Sequence, residues 1–350
     1  MLFRSVVNEG DVLVSYDVTA LFTNIPVDEA IQILANKAFK NNWFNDTYNL
    51  QLRKADLIEL LSVSVKNQLF QFDGKLFEQI DGVAMGSPLG PLLVNVFMCS
   101  LEEQLQEEGT IPTFYKRYVD DTFAIMPNTT EAHAFLDVLN SKHPALKFTM
   151  ELAANNTLPF LGMNIIKNGT KLETSVYKKP TNTGLLLHFH SHVDQRYKKG
   201  LLKTMLNRAY RLSSNWKHFI NECEALKLTF SKLLYPSQLI ETTVNQFITN
   251  AATDNVQSDA DRNNDTTPMV IFPIPFISQS AADSTRRQLQ DLSSKIGVSL
   301  QPIFTSKKIG EIIKAREPKP KIINEQCVVY HFKCGLCEMD YVGFTNRHLF

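Results

Sequence analysis

Three aspartates stand where a folded chain rarely tolerates unpaired charge. Asp17 lies near the end of the alternating segment from Asp11 to Val18, and Asp120 and Asp121 lie between two short strand-like stretches within Phe114 to Met126. Burial is expected at strand ends and inter-strand turns, and a buried carboxylate needs a cationic partner. If two strands of one sheet bring Asp17 beside Asp120 and Asp121, the three make an all-oxygen site for Mg²⁺, which is held by a few carboxylates together with substrate phosphates. Two such ions about 4 Å apart activate a hydroxyl nucleophile and stabilise a leaving pyrophosphate. Taken alone, Asp-Asp in a turn is equally ordinary turn chemistry, and the four-residue pattern YVDD leaves both readings open.

A second pattern is electrostatic. Between Gln195 and Asn221 stand Arg196, Lys198, Lys199, Lys203, Arg208, Arg211 and Lys217, with no acidic residue among them. The whole chain balances 36 Lys and Arg against 36 Asp and Glu, which excludes a uniformly basic coat and makes any polyanion site local. A charge run is usually a solvated helix face. Here Tyr197, Tyr210 and Trp216 interleave with the cations, which favours phosphate contact along a nucleic acid. The third pattern is Cys334-Gly335-Leu336-Cys337, the spacing of two thiolates on one Zn²⁺, with Cys327, His331 and His348 as candidates for the remaining ligands. A redox pair and chance spacing stay open as alternatives.

These groups need elements to position them. Val12, Val14, Tyr16 and Val18 alternate with the period of a strand. Pro26 opens a helix in its first turn, carried by Ala30, Ile31, Ile33, Leu34 and Ala38, and a second helix covers Asp56 to Lys66. Leu69–Phe72 and Lys75–Gln79 flank Asp73-Gly74, a strong hairpin signal. The chain then passes through GVAMGSP into a buried helix over Leu89 to Gln106. Beyond Phe114 to Met126 follow a helix near Thr130–Ser141 and strands near Leu146–Leu152, Pro159–Ile166 and Lys171–Tyr177. From Leu185 to about Ile248 the pattern is helical. Asn250 to Pro268 has almost no large apolar residue, so it cannot offset its ordering entropy and is expected to be a disordered linker. Beyond it the pattern is strand (Val270–Pro273), helix (Ala281–Ile296), strand (Val298–Phe304) and short helix (Ile309–Lys314).

With 350 residues and 44% hydrophobic content, the chain is long enough for two or three packed domains. No apolar run approaches the roughly 20 residues that span a bilayer, and no signal-peptide core follows Met1. The five cysteines are too unevenly placed for a disulfide framework, with Cys99 and Cys223 isolated and the other three near the end. The expectation is an intracellular protein with no membrane partner.

Four ordered motifs carry a family resemblance: SYDVTALFTNIP, GVAMGSPLGPLLVNVFM, FYKRYVDDTFAI and LPFLGMNI. Together they resemble the palm of reverse transcriptases, specifically the Penelope-like retroelement branch. SVYKKPTNTG, continuing to HFHSHVDQRYKKGLLKTMLNRAYRLSS, resembles the helix-turn-helix-like segment that follows the palm there. The resemblance implies an RNA-directed DNA polymerase acting on an RNA template, a DNA primer and dNTPs, with two Mg²⁺ ions held by Asp17, Asp120 and Asp121. It places Phe22 as the steric gate against a ribose 2′-hydroxyl and Gly86, Ser87 and Pro88 beneath the primer-template and incoming nucleotide. Without it, Phe22 reads as core and Gly-Ser-Pro as a turn with a helix start. Leu161-Gly162 resembles the primer-grip neighbourhood, although Gly162 within a strand equally marks a bulge. Nuclear action is implied by the family alone.

Val329-Tyr330 and Asp340 to Arg347 resemble the opening of a GIY-YIG endonuclease, with Tyr330, Tyr341 and Gly343 matching its signature. That family's catalytic arginine and metal-binding glutamate would fall beyond Phe350, so endonuclease activity is expected to be absent. Only 16 residues precede Asp17, where the family places a fingers region whose cations clamp the triphosphate. The expectation is therefore a fragment with limited polymerase activity, and the competing reading is a catalytically inactive nucleic-acid-binding remnant. The fold class expected is α+β. It comprises a palm of antiparallel sheet packed with helices (1–180, fingers missing), a helical thumb-like extension (181–248), the linker (249–268), a small α/β connector (269–320) and an incomplete GIY-YIG module (321–350).

Overall fold

The computed structural model describes residues 7–72, 75–84, 86–252, 268–307, 328–333 and 340–345. The chain divides into two compact units, one of Met1–Leu161, Lys167–Leu172 and Ala315–Phe350, the other of Gly162–Ile166 and Glu173–Lys314.

In the first unit β1 (Val12–Val18) leads into α1 (Leu21–Asn24), α2 (Val27–Ala38), α3 (Trp43–Tyr48) and α4 (Lys54–Val65). The strands β2 (Leu69–Phe72) and β3 (Lys75–Glu78) precede α5 (Gly90–Glu107). Then come β4 (Phe114–Tyr118), β5 (Asp121–Met126), α6 (Thr129–Lys142), β6 (Phe148–Leu152) and β7 (Thr157–Phe160). The central sheet is antiparallel in the order β4-β5-β1-β6. The two-residue period of β1 turns Val14, Tyr16 and Val18 inward, where they join Ile31 of α2, Phe97 of α5 and Phe135 of α6 in one core. Tyr16 meets Phe135 edge-on at 5.4 Å and donates its hydroxyl to the Ala132 carbonyl at 3.0 Å. Each such side chain, fully buried, contributes about 1.5–3 kcal/mol. The same alternation turns Asp17 to the other face. Pro26 sits one residue earlier than expected, capping α2 rather than entering its first turn, which Asp28 and Glu29 occupy as the helix dipole favours.

In the second unit β8 (Met163–Asn168) and β9 (Lys171–Val176) form a hairpin across whose strands the division of the chain falls. Three helices follow, α7 (Gln195–Leu212), α8 (Trp216–Lys232) and α9 (Ser237–Ala252). Leu202, Leu206 and Ala209 of α7 pack with Phe219, Cys223 and Phe230 of α8 and Ile240 and Val244 of α9. Regular helix begins at Gln195 rather than Leu185. Before it the backbone bonds elsewhere, Phe189 N–H donating to the Leu233 carbonyl at 3.0 Å, and the Asp194 side chain caps α7 by accepting from Arg196 N–H. The unit also holds β10 (Met269–Pro275), α10 (Gln279–Ile296) and β11 (Ser299–Thr305), with β10 and β11 parallel. Buried Asp194 pairs with Arg286 of α10, and Tyr197 donates to the Phe304 carbonyl at 3.1 Å, so this strand-helix-strand segment is stapled to the start of α7.

The expected strand over Pro159–Ile166 is two strands. Leu161 (φ 47°) and Gly162 (φ 78°) form a two-residue turn between β7 and β8, since consecutive positive φ values match the twist of a hairpin. Two further strands, β12 (Val328–Lys333) and β13 (Asp340–Thr345), pair antiparallel and extend the β2–β3 hairpin into the order β13-β12-β2-β3. The hairpin turn Asp73-Gly74, linker residues 253–267 and the short helix expected at Ile309–Lys314 lie outside the described residues. No helix among the described residues is long and apolar enough to cross a membrane.

Candidate active site and nucleic-acid face

Antiparallel pairing of β1 with β5 makes Asp17 and Asp121 direct cross-strand partners, so the two side chains rise from the same face of the sheet. Asp120 is the next residue in the turn from β4. Burial differs from expectation: Asp17 is exposed, Asp120 and Asp121 half-buried, because the face carrying Asp17 lies opposite the helical core. The Asp17 carboxyl is nevertheless pushed above its ordinary range, first by desolvation and then by the charge of Asp120, with a hydrogen bond from Val18 N–H pulling the other way. Like charges and hard oxygen donors are the chemistry a divalent cation relieves. The donor set therefore fits Mg²⁺, although no three His, Cys, Asp or Glu side chains among the described residues converge as a metal-binding group.

The turn that carries Asp120 and Asp121 is held by a residue the sequence did not single out. Arg117, its side chain 7% exposed, grips Glu102 of α5 with two hydrogen bonds (Nε to Oε1 2.6 Å, Nη2 to Oε2 3.0 Å) and donates to the Val119 carbonyl at 3.1 Å. Burial works against the guanidinium charge, yet the Glu102 carboxylate holds its pKa above the usual value. Val119 has φ 57°, a true outlier for a β-branched residue, and Ala20, between Asp17 and Phe22, has φ 51°. Backbone strain of this kind persists only where surrounding contacts impose it. A cleft of about 770 Å³ lies at the other end of the β1–β5 pair, against Asp11, Phe114 and Met126, roughly 17 Å along the strands from the carboxylates. Its lining is not the chemistry of the aspartates.

Phe22 meets the residues on either side of the Gly86-Ser87-Pro88 loop, Val83 before it and Gly90 after it. Val83 N–H donates to the Phe22 carbonyl at 2.7 Å, and the half-buried Phe22 ring lies against Gly90. The glycine that permits this is Gly82, at φ 74°, where any Cβ would collide with the Thr23 backbone. The turn dipeptide Asp81-Gly82 is the local signal for it. Gly86 and Pro88 are exposed, and Ser87 uses its hydroxyl to accept from Leu89 N–H at 3.3 Å before α5 begins.

Of the basic residues, Arg196, Lys199, Lys203, Arg208, Arg211 and Lys217 are exposed. At 100° per residue, Lys199, Lys203, Arg196 and Arg211 occupy an arc of about 120° on α7. Lys198 does not belong with them. It lies on the core side with Leu202, Leu206 and Ala209, 7% exposed, its ammonium 5.1 Å over the Phe189 ring and its pKa lowered by burial. Arg208 donates to the Gly162 carbonyl at 3.2 Å.

Of the carboxy-terminal candidates, Cys327, Cys334, Cys337 and His348 lie outside the described residues. Tyr330 and Gly343 are register partners across β12 and β13, and Tyr341 partners Phe332.

Residues 5–163 match the family model of the reverse transcriptase (RNA-dependent DNA polymerase), and residues 185–245 match that of the animal helix-turn-helix domain. No curated protein matches the chain. Among solved structures, telomerase from Candida albicans in complex with a TWJ fragment of telomeric RNA is 12% identical over 73% of this chain and 47% of that one, with a TM-score of 0.44. Apo telomerase from Candida tropicalis, truncated from the C-terminal domain, is 18% identical over 48% and 35% with a TM-score of 0.36. A foamy viral protease-reverse transcriptase in complex with RNA/DNA hybrid is 12% identical over 97% and 51% with a TM-score of 0.33. The chain thus spans between about a third and a half of these proteins. By these two matches, residues 5–163 are similar to a reverse transcriptase domain and residues 185–245 to an animal helix-turn-helix domain.

Proposed function

We propose that the chain is an RNA-directed DNA polymerase of the Penelope-like retroelement type, working by two-metal nucleotidyl transfer. The observation that carries this reading is the register of β1 on β5, which sets Asp17 opposite Asp121 with Asp120 adjacent, inside a reverse transcriptase domain. Asp17, Asp120 and Asp121 would hold Mg²⁺, which when bound acidifies a hydroxyl and neutralises charge on a transferring phosphoryl group. The chain's own residues position the rest. Arg117 holds the turn that presents Asp120 and Asp121. Phe22 and the loop that Gly82 seats against it offer a ring and backbone to an incoming dNTP, the ring excluding a 2′-hydroxyl. The exposed cations of α7 meet the phosphates of an RNA template and DNA primer. The pairing of Tyr330 with Gly343 supports taking residues 321–350 as the start of a GIY-YIG module.

A second reading is a nucleic-acid-binding remnant without catalysis, supported by the exposed cations of α7, which alone suffice for binding phosphates. Primer extension on an RNA template with Mg²⁺ separates the two. Extension that Asp120→Asn abolishes is the expected result. Retained nucleic-acid binding with no extension by either protein would sink the polymerase reading and favour the remnant.

A further inference from the structure

The turn between α7 and α8 forms a cleft of about 390 Å³, within the roughly 300–1,000 Å³ of small-molecule sites. Its lining includes Tyr210 and Arg211 at the end of α7, Ser213 in the turn, and Trp216 and Phe219 on α8. Trp216 is 48% exposed although it is a large aromatic. It is not loose: its ring packs edge-on against buried Phe219 at 5.6 Å and tilted against Tyr210 at 6.3 Å, and Phe219 in turn meets Phe247 at 6.0 Å. The turn is rigid as well. Ser214 exchanges hydrogen bonds with the backbone of Thr174 on β9 (2.9 Å and 3.0 Å), and Asn215, whose carbonyl oxygen caps α8, donates to Glu173 at 3.1 Å.

Two features say what such a cleft takes. Ser213 Oγ is buried among the lining residues with no hydrogen-bond partner among the described residues, a state costly enough to favour a ligand that supplies one. The cleft also lies at the end of the cationic arc of α7, with Arg211 in its wall and exposed Lys217 beside Trp216, and the first turn of α8 has no acidic residue. Phosphate contact alone needs only the cations. An exposed, immobilised indole beside them adds a platform for a flat apolar ring that arrives with negative charge, which is the description of an unstacked nucleotide.

We infer that the α7–α8 turn is a binding pocket for one unstacked base of a single-stranded polynucleotide, the base lying on Trp216 and its phosphates meeting Arg211 and Lys217. This rests on the reading that the α7 face binds nucleic acid, and goes beyond it by separating single-stranded from purely electrostatic binding.

Trp216 is one of two tryptophans, so the full chain with Trp43→Phe makes it a specific reporter. The probes are a short single-stranded oligothymidylate and an abasic oligonucleotide of equal length and charge. Oligothymidylate is expected to quench the indole and to bind about tenfold or more tightly than the abasic strand, the scale of one base stacked on an aromatic ring. Trp216→Ala should erase that ratio while leaving abasic binding unchanged, and Trp216→Phe should keep most of it. Lys199→Gln with Lys203→Gln should weaken both probes alike. Equal affinity for the two probes with unaltered fluorescence overturns the pocket and leaves the cationic face standing. Failure to bind either probe overturns the face and the pocket together. Quenching by an acidic aromatic peptide that oligothymidylate cannot displace would assign the cleft to a protein partner and overturn the proposal. If Trp216→Ala does not fold, the two-probe comparison on the Trp43→Phe chain still decides it.

Discussion

Arg117 and Glu102 form a two-point ion pair between β4 and α5, and the same guanidinium holds the Val119 carbonyl of the turn leading to Asp120 and Asp121. A bidentate pair with one side chain buried is costly to break from either side, because the partner left behind is an uncompensated charge. Glu102→Gln is expected to lower stability by about 3 kcal/mol. Arg117→Lys keeps the charge but loses the fork, and primer extension should fall at least about tenfold if orientation of the carboxylates matters as positioned groups do. Urea unfolding and extension rates check both. An unchanged urea midpoint in Glu102→Gln would show the pair to be inert.

The carboxylates are expected to link stability to pH and to cations. The folded pKa of Asp17 is raised, so its contribution to stability is present below the unfolded value of about 3.9 and is lost as pH rises through the folded value. Without divalent cation, Asp17→Asn should unfold at higher urea than the parent at pH 7, and the gain should vanish near pH 3. Mg²⁺ at ten times its Kd should add about 1.4 kcal/mol to the parent and less to the variant. A parent melting temperature indifferent to Mg²⁺ would argue against the site.

Lys198 separates charge composition from charge placement. Its ammonium is desolvated in the core and compensated by the Phe189 ring. Lys198→Met should therefore change stability by less than about 1.5 kcal/mol in either direction and leave the salt dependence of nucleic-acid binding untouched. Lys199→Gln with Lys203→Gln should flatten that dependence by nearly two units of slope on duplex. Binding isotherms at graded salt measure both. A flattened slope in Lys198→Met would contradict its burial.

Gly82 cannot gain a side chain without moving Thr23. Gly82→Ala is expected to destabilise by more than about 1 kcal/mol, the penalty of a left-handed residue before any collision is added. Because the same contact seats Phe22, discrimination between dNTPs and rNTPs should weaken in the variant. Thermal melts and a nucleotide-choice extension assay test the two effects separately, and an unchanged melt would show that the loop relaxes freely.

The elements around the site were largely legible because their causes are local. The alternation of Val12, Val14, Tyr16 and Val18 makes β1, and the cap Asn128, which accepts from Glu131 N–H at 2.8 Å, starts α6 within one residue of expectation. The burial of Lys198 was legible in principle, since 198, 202, 206 and 209 share one helical phase, but a count of charges along the segment hides phase. The Leu161-Gly162 turn was not legible. Leucine at positive φ is disfavoured, so no local preference of the sequence marks the turn.

By itself the sequence determined which groups exist for chemistry and on which local elements they sit: Asp17 at the end of a strand, Asp120 and Asp121 in a turn, a run of cations, a glycine loop. Periodicity and turn preference act over a few residues, so the chain order already contains them. Only the tertiary structure decided that Asp17 faces Asp121, that Arg117 reaches Glu102, that Gly82 seats Phe22 and that Lys198 leaves the cationic face. Each of these depends on sheet order or helix rotation, set by the burial of side chains distant in sequence, and no local pattern records which distant partner that burial selects.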